Sequence, residues 1–341
     1  MGREETMAST RFVPPWACYA AYGTALITIF FTFRAAPYGP LMPLMKGLAA
    51  HTLATCVLWV WSYCWSNTSI YDPAWCWFPI ALGLGWIAHV SSQQQGPNAM
   101  FSASPRGQLA LGLIVLWCLR YSWQFPWTGW TTGIHKEDWR YVKIADKTGS
   151  NTRLYWLASL ISLHLTPTWL VFAALSPMER VWSAGRAEGV PELFSNSADA
   201  VGLFVSVTAI LIQHSSDMTL YHFRRKAYGT SKNLDYKSSS KKICREGLWK
   251  WSRHPNYFGE CLFWLGLACL ASGGEGGFRA TSVSGTWTDL FRAWGGAALM
   301  FGFFRVSAHL TDQRMLENRG QKYLKVMSEV SPLVPWFTWL P

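Results

Sequence analysis

Asp217, Glu260 and Arg305 stand within or beside long apolar stretches of this 341-residue chain. An ionised side chain is expensive there and marks function by default. Three polar ladders carry these groups. In LIQHSSDMTLYHFRR, Gln213 and Asp217 are four residues apart and Arg224 follows seven later, so a helix places all three on one face. In RHPNYFGE, Arg253, His254, Asn256 and Tyr257 precede Glu260, with Asn256 and Glu260 one turn apart. In FGFFRVSAHLTDQRMLEN, Arg305, His309 and Gln313 recur every four residues.

These residue types suit one kind of ligand. Pro255 fits the first position of a helix, where its missing N–H costs nothing. The free N–H groups and positive dipole end of that turn attract phosphate. Arg224, Arg253 and Arg305 add charge-assisted contacts. Asp217 and Glu260 cannot bind phosphate, but they accept hydrogen bonds from ribose hydroxyls or a carboxamide. Cations and acceptors together point to a nucleotide-like cofactor. Taken singly, each group has a plainer reading: an Asp217–Arg224 ion pair, an Arg305 snorkelling to headgroups, a structural His309. Three such faces flanking membrane spans favour a site.

The elements that position them are membrane helices. Half of the residues are hydrophobic, only 14% are charged, and there are 22 Trp. That is too little charge to cover a soluble protein. Apolar runs at about 17–33, 48–65, 74–91, 107–123, 154–175, 199–212, 257–271 and 290–308 approach the length that crosses a bilayer. The expected fold is all-α: a polytopic integral membrane protein with six to eight transmembrane helices. Residues 1–16 form a polar tail, 17–204 the amino-terminal helices with the substrate pocket, and 205–341 the catalytic region. The amino end lacks the layout of a cleaved signal, so the first span should act as an uncleaved anchor.

The net charge of +11 is concentrated in residues 222–256, where ten Lys or Arg face Asp235 and Glu246. Positive loops stay in the cytosol, which puts the cofactor site on the cytosolic side. The KSSSKK stretch reads as a solvated loop near anionic lipid. Wedged between two spans, this segment is unsuited to nucleic acid. The eight cysteines form no CxxC pair, so they read as small buried hydrophobes and not as metal ligands. The sequon Asn67-Thr68-Ser69 lies in a short loop against the membrane and is expected to be unused.

GLWKWSRHPNYFGE, SSDMTLYHFRR and QKYLKVMSEVSPLVPWF resemble the steroid 5-alpha-reductase family, most closely its branch with the RHPNYFGE signature. The likeness is strong over about 205–341 and weaker over 109–146, where LWCLRYSW and KEDWRY fit. It implies an α-helical membrane reductase that uses NADPH on a conjugated carbon–carbon double bond, in the endoplasmic reticulum membrane. It also implies that Gln213, Asp217, Arg224, Asn256, Glu260, Arg305 and His309 bind NADPH. Gln213 stands for an asparagine of the animal steroid enzymes and Gln313 for a tyrosine. Tyr121 matches the tyrosine that polarises the substrate ketone. The Gln-Glu pair that completes that ketone site has no counterpart here, so the implied substrate is lipid-like without being specifically a steroid.

A second family offers an alternative. Isoprenylcysteine and phospholipid methyltransferases carry an RHPxYxG motif between spans and bind S-adenosylmethionine with it. Their signature uses a downstream acidic pair, whereas Glu317 has no acidic neighbour. A non-catalytic membrane scaffold is a third reading.

Overall fold

In the computed structural model, which describes residues 13–35, 42–93, 103–128, 137–148, 153–183, 192–228, 242–274 and 291–335, the apolar runs become helices. α1 (Pro15–Arg34) and α2 (Met42–Cys64) lead through a 3-10 turn, Thr68–Tyr71, to α3 (Ala74–Gln93) and α4 (Pro105–Thr128). The short α5 (Trp139–Thr148) precedes α6 (Arg153–Ser159), which passes through a π turn, Leu160–Leu165, into α7 (Thr166–Ser183). Then come α8 (Ser197–Tyr228), α9 (Pro255–Gly274), α10 (Gly296–Arg319) and α11 (Gln321–Glu329). Among the described residues there is no strand, only an isolated bridge between Ser252 and Ser331. The polar tail up to residue 12, all of KSSSKK but its last Lys, and parts of the loops at 34–47, 92–106, 124–153 and 176–198 lie outside the described residues.

Local chemistry sets the ends of several helices. Pro15 opens α1, where no N–H is required. α10 stops at Gly320, whose φ of 57° is one that glycine adopts freely. The Asn67 side chain accepts from the Ser69 N–H and caps the 3-10 turn. Asn67 is fully buried, which seals the sequon from a glycan.

Among the described residues, four helices are long and apolar enough to cross a membrane: Pro15–Arg34, Pro43–Cys64, Arg153–Trp182 and Ser197–Ala227. This is fewer than the six to eight expected from the apolar runs. α3 carries Pro79 within the helix and ends in Ser-Ser-Gln. α4, α9 and α10 are diluted by Arg106 and Arg120, by Asn256 and Glu260, and by Arg305, His309 and Asp312 respectively. Three of these polar residues, Arg120, Asn256 and Glu260, belong to the site described below. Phe31 is 64% exposed, Phe204 72% and Leu211 62%. An apolar belt of this kind belongs against lipid tails.

Between helices in lipid, close packing replaces the hydrophobic drive, and small residues let backbones approach. α8 and α9 meet in this way. A methyl group at Gly202 would lie 2.7 Å from the Leu270 nitrogen and 2.9 Å from the Gly266 carbonyl. At the far end of this pair, Arg106 of α4 makes a two-pronged ion pair with Asp199 of α8, both bonds 2.7 Å and both groups buried. The pair ties α4 to α8, while α9 packs along the rest of α8.

Candidate functional site

The carboxyl end of α4 presents Trp117, Arg120, Tyr121 and Gln124, spaced three and four residues apart and so on one face. The opposing groups come from α8 and α9. Arg120 Nη1 donates to Asp217 Oδ2 at 3.1 Å and to Gln124 Oε1 at 2.9 Å. Asn256 Nδ2 donates to the other Asp217 oxygen at 3.1 Å. Glu260, one turn into α9, accepts from two indoles: Trp75 Nε1 at 3.2 Å and Trp117 Nε1 at 3.0 Å. Gln124 reaches His214 Nδ1 at 3.2 Å. Two buried carboxylates are thus held by three helices and the start of α3.

Aromatic rings wall this cluster. The Arg120 guanidinium lies 4.8 Å from the Tyr121 ring centre. Trp75 stacks on Phe303 of α10 at 5.9 Å, and Trp117 stacks on Phe263 at 5.1 Å. Gln213 is buried beside Gly259, where a methyl group would fall 2.6 Å from its Cγ. Neither amide atom of Gln213 has a hydrogen-bond partner among the described residues, and Arg120 Nε also has none. Arg224 is half-buried and acts electrostatically on Asp217.

Arg253 and His254 belong to a separate knot. Arg253 donates to Asp312 Oδ2 through Nε at 3.1 Å and Nη2 at 2.8 Å. Its Nη1 bonds the carbonyls of Met327 and Val330. His254 Nε2 is 2.8 Å from Asp312 Oδ1, which also accepts from the Tyr323 hydroxyl. The His254 ring stacks on Tyr257 at 5.3 Å. Burial alone would raise the Asp312 carboxyl, but the bonds from His254, Arg253 and Tyr323 hold it down at about 2. This knot fastens the start of α9 to α10 and α11.

The predicted residues therefore divide. The structure gathers Gln213, Asp217, Asn256, Glu260 and Tyr121, with Arg224 at the margin. It engages Arg253 and His254 elsewhere, with Tyr257 stacked on His254. On α10 the buried face is Phe304, Ala308 and Asp312, one residue off the Arg305–His309–Gln313 ladder. Arg305 is half-buried, while His309 and Gln313 are exposed and bond each other at 2.9 Å. Sequence reasoning missed Arg120, Gln124, Trp75, Trp117 and Asp312. The helical spacing of Trp117, Arg120, Tyr121 and Gln124 was the available signal for the α4 set.

The fold and site define a class: a helical membrane protein with a cluster of buried carboxylates, amides and guanidinium at one end. The chain belongs to a family described as a protein of unknown function, DUF1295, which matches residues 58–323 and is related to steroid 5-alpha-reductase-like proteins. An uncharacterised protein of Schizosaccharomyces pombe is 27% identical over 285 residues, covering 81% of this chain and 75% of the yeast protein. No solved structure gives a significant match.

Proposed function

We propose that the protein is a membrane-embedded reductase that uses NADPH to saturate a carbon–carbon double bond in a lipid-like substrate. The observation that carries this reading is the convergence of Asp217, Asn256, Glu260 and Arg120 from three helices on one buried cluster. The donor set suits a dinucleotide. Asp217, Glu260 and Asn256 would meet ribose hydroxyls or a carboxamide, and Arg224 and Arg305 would meet phosphates. The unpartnered amide of Gln213 and Nε of Arg120 support the fit, because buried polar groups normally find partners.

When bound, NADPH supplies the hydride, leaving as NADP+ while a proton completes the second carbon. Asp217 and Asn256 orient the polar end of the cofactor, and Arg120 holds the Asp217 carboxyl group in position through its hydrogen bond. Glu260 fixes the two indoles that exclude water from the reacting face. Tyr121 donates a hydrogen bond to the substrate carbonyl oxygen and stabilises the charge that develops there. The basic segment after α8 supports a cytosolic position for this end, and residence in the endoplasmic reticulum membrane is part of the same proposal.

Titration of the purified protein with NADPH and, separately, with S-adenosylmethionine tests the reading. NADPH should bind, and Glu260→Gln or Arg305→Ala should weaken it severely. A folded wild type that binds no NADPH ends the proposal; one that binds S-adenosylmethionine instead makes the protein a methyltransferase.

A further inference from the structure

A second polar feature runs through the amino-terminal helices, apart from the residues assigned above. α2 buries His51, Thr55 and Ser62 on one face, and eleven residues of helix cover about 16 Å. Thr55 Oγ1 is 2.9 Å from Thr168 Oγ1, which is 2.7 Å from the Tyr71 hydroxyl. The Tyr71 ring lies 5.2 Å from that of His164. His164 sits in the π turn, with Nδ1 2.9 Å from the Ser159 carbonyl and Nε2 3.3 Å from Ser62 Oγ. A carbonyl only accepts, so the neutral ring carries its proton on Nδ1 and Nε2 accepts from Ser62. Single π turns inside membrane helices accompany functional sites.

His51 is the member of this column with an unmet group. It is 1% exposed, and its Nδ1 has no hydrogen-bond partner among the described residues. Its neighbours are apolar rings: Phe78 at 5.4 Å and Phe172 at 6.4 Å. Phe172 in turn meets Trp86 at 6.2 Å, and Trp86 stacks on Trp182 at 5.7 Å. A polar nitrogen left bare in such surroundings is costly. The other members of the column bond one another, so among the described residues no group supplies the missing partner.

We infer that His51 receives the hydroxyl group of a lipid alcohol whose hydrocarbon body lies along Phe78, Trp86 and Phe172. A hydroxyl both donates and accepts, so it satisfies His51 in either tautomer. No Asp, Glu, Lys or Arg belongs to the column, and a phosphate or carboxylate headgroup would be uncompensated at that depth. Phe78 follows Trp75 by one helical turn, and the Trp75 indole holds Glu260. The proposed hydroxyl site therefore lies one turn further along α3 than the candidate cofactor cluster. That this lipid is the substrate rests on the proposed reductase function; the site itself rests on the unpartnered His51 nitrogen and the rings around it.

Photolabelling tests it. The purified protein is labelled with a diazirine-bearing sterol alcohol and, in parallel, a diazirine-bearing isoprenoid alcohol, each competed by the parent alcohol or by the matching hydrocarbon. At least one probe should label α2, α3 or α7, with the alcohol competing at about tenfold lower concentration, the effect of one buried hydrogen bond. The preference should vanish in His51→Phe and His51→Leu and survive in part in His51→Gln, whose amide both donates and accepts. NADPH binding, measured on the same samples, should be unchanged in all three. A wild type that prefers the alcohol but binds no NADPH removes the reductase reading and keeps the pocket. Equal competition by alcohol and hydrocarbon for both probes, or a preference retained without His51, overturns the inference.

Discussion

Arg253 Nη2 donates to Asp312 Oδ2 at 2.8 Å, joining the loop before α9 to the buried face of α10. The most anion-friendly residue of the RHPNY motif is thus held by a carboxylate of the protein. Asp312→Asn removes the charge that balances Arg253, and breaking a buried pair from one side costs about 3–5 kcal/mol. A thermal-shift measurement in detergent should show a lower melting temperature. NADPH affinity of the still-folded fraction should be nearly unchanged.

The same carboxylate sets an acid limit. Its folded-state value, about 2, lies below the ordinary carboxylate value. Its stabilisation is therefore fully present above about pH 4 and lost as pH falls through about 2. Wild-type melting temperature should drop across that window. In Asp312→Asn the drop should be smaller, because the group that titrates is gone.

Arg120 provides the sharpest test at the carboxylate cluster. Arg120→Met leaves Asp217 buried with Asn256 as its remaining direct donor. NADPH affinity should fall at least about tenfold, and Asp217→Asn in the same background should restore part of the folding yield by removing the unpaired charge. Equal NADPH affinity in Arg120→Met and wild type, by isothermal titration, would contradict the cluster's role.

Tyr121→Phe separates binding from turnover. The ring and its contact with Arg120 remain, while the hydroxyl that would face a carbonyl is lost. NADPH affinity should stay within about threefold, whereas substrate reduction, followed by lipid mass profiling, should fall about a hundredfold, as for the loss of one oxyanion donor.

Gly202→Leu should abolish folding. A side chain there meets the α9 backbone at 2.7 Å, and backbone cannot move aside as a flexible side chain does. Size-exclusion profiles of a fluorescent fusion should show aggregate in place of a monodisperse peak.

Much of the site could be read from residue spacing, because helix periodicity fixes which side chains share a face. Gln213–Asp217 and Asn256–Glu260 fell together for that reason. The partners across helices could not be read in the same way: Asp217 is hydrogen-bonded by Arg120, 97 positions earlier, while Arg224 on its own helix acts on it electrostatically. On α10 a strict four-residue ladder pointed to Arg305, His309 and Gln313, yet the helix turns Phe304, Ala308 and Asp312 inward. The rings at 303 and 304 support that rotation, Phe303 stacking on Trp75 and Phe304 meeting it edge-on. The number of apolar spans was overread because runs such as 257–271 were counted without the polar turn that begins their helix.

The glycine contact between α8 and α9 also determines where a guest can arrive. With two backbones touching, no greasy tail can slip between them, so that flank is a spine. α3 and α10 meet in another way, through the rings of Trp75, Phe303 and Phe304, and rings can pivot where backbones cannot.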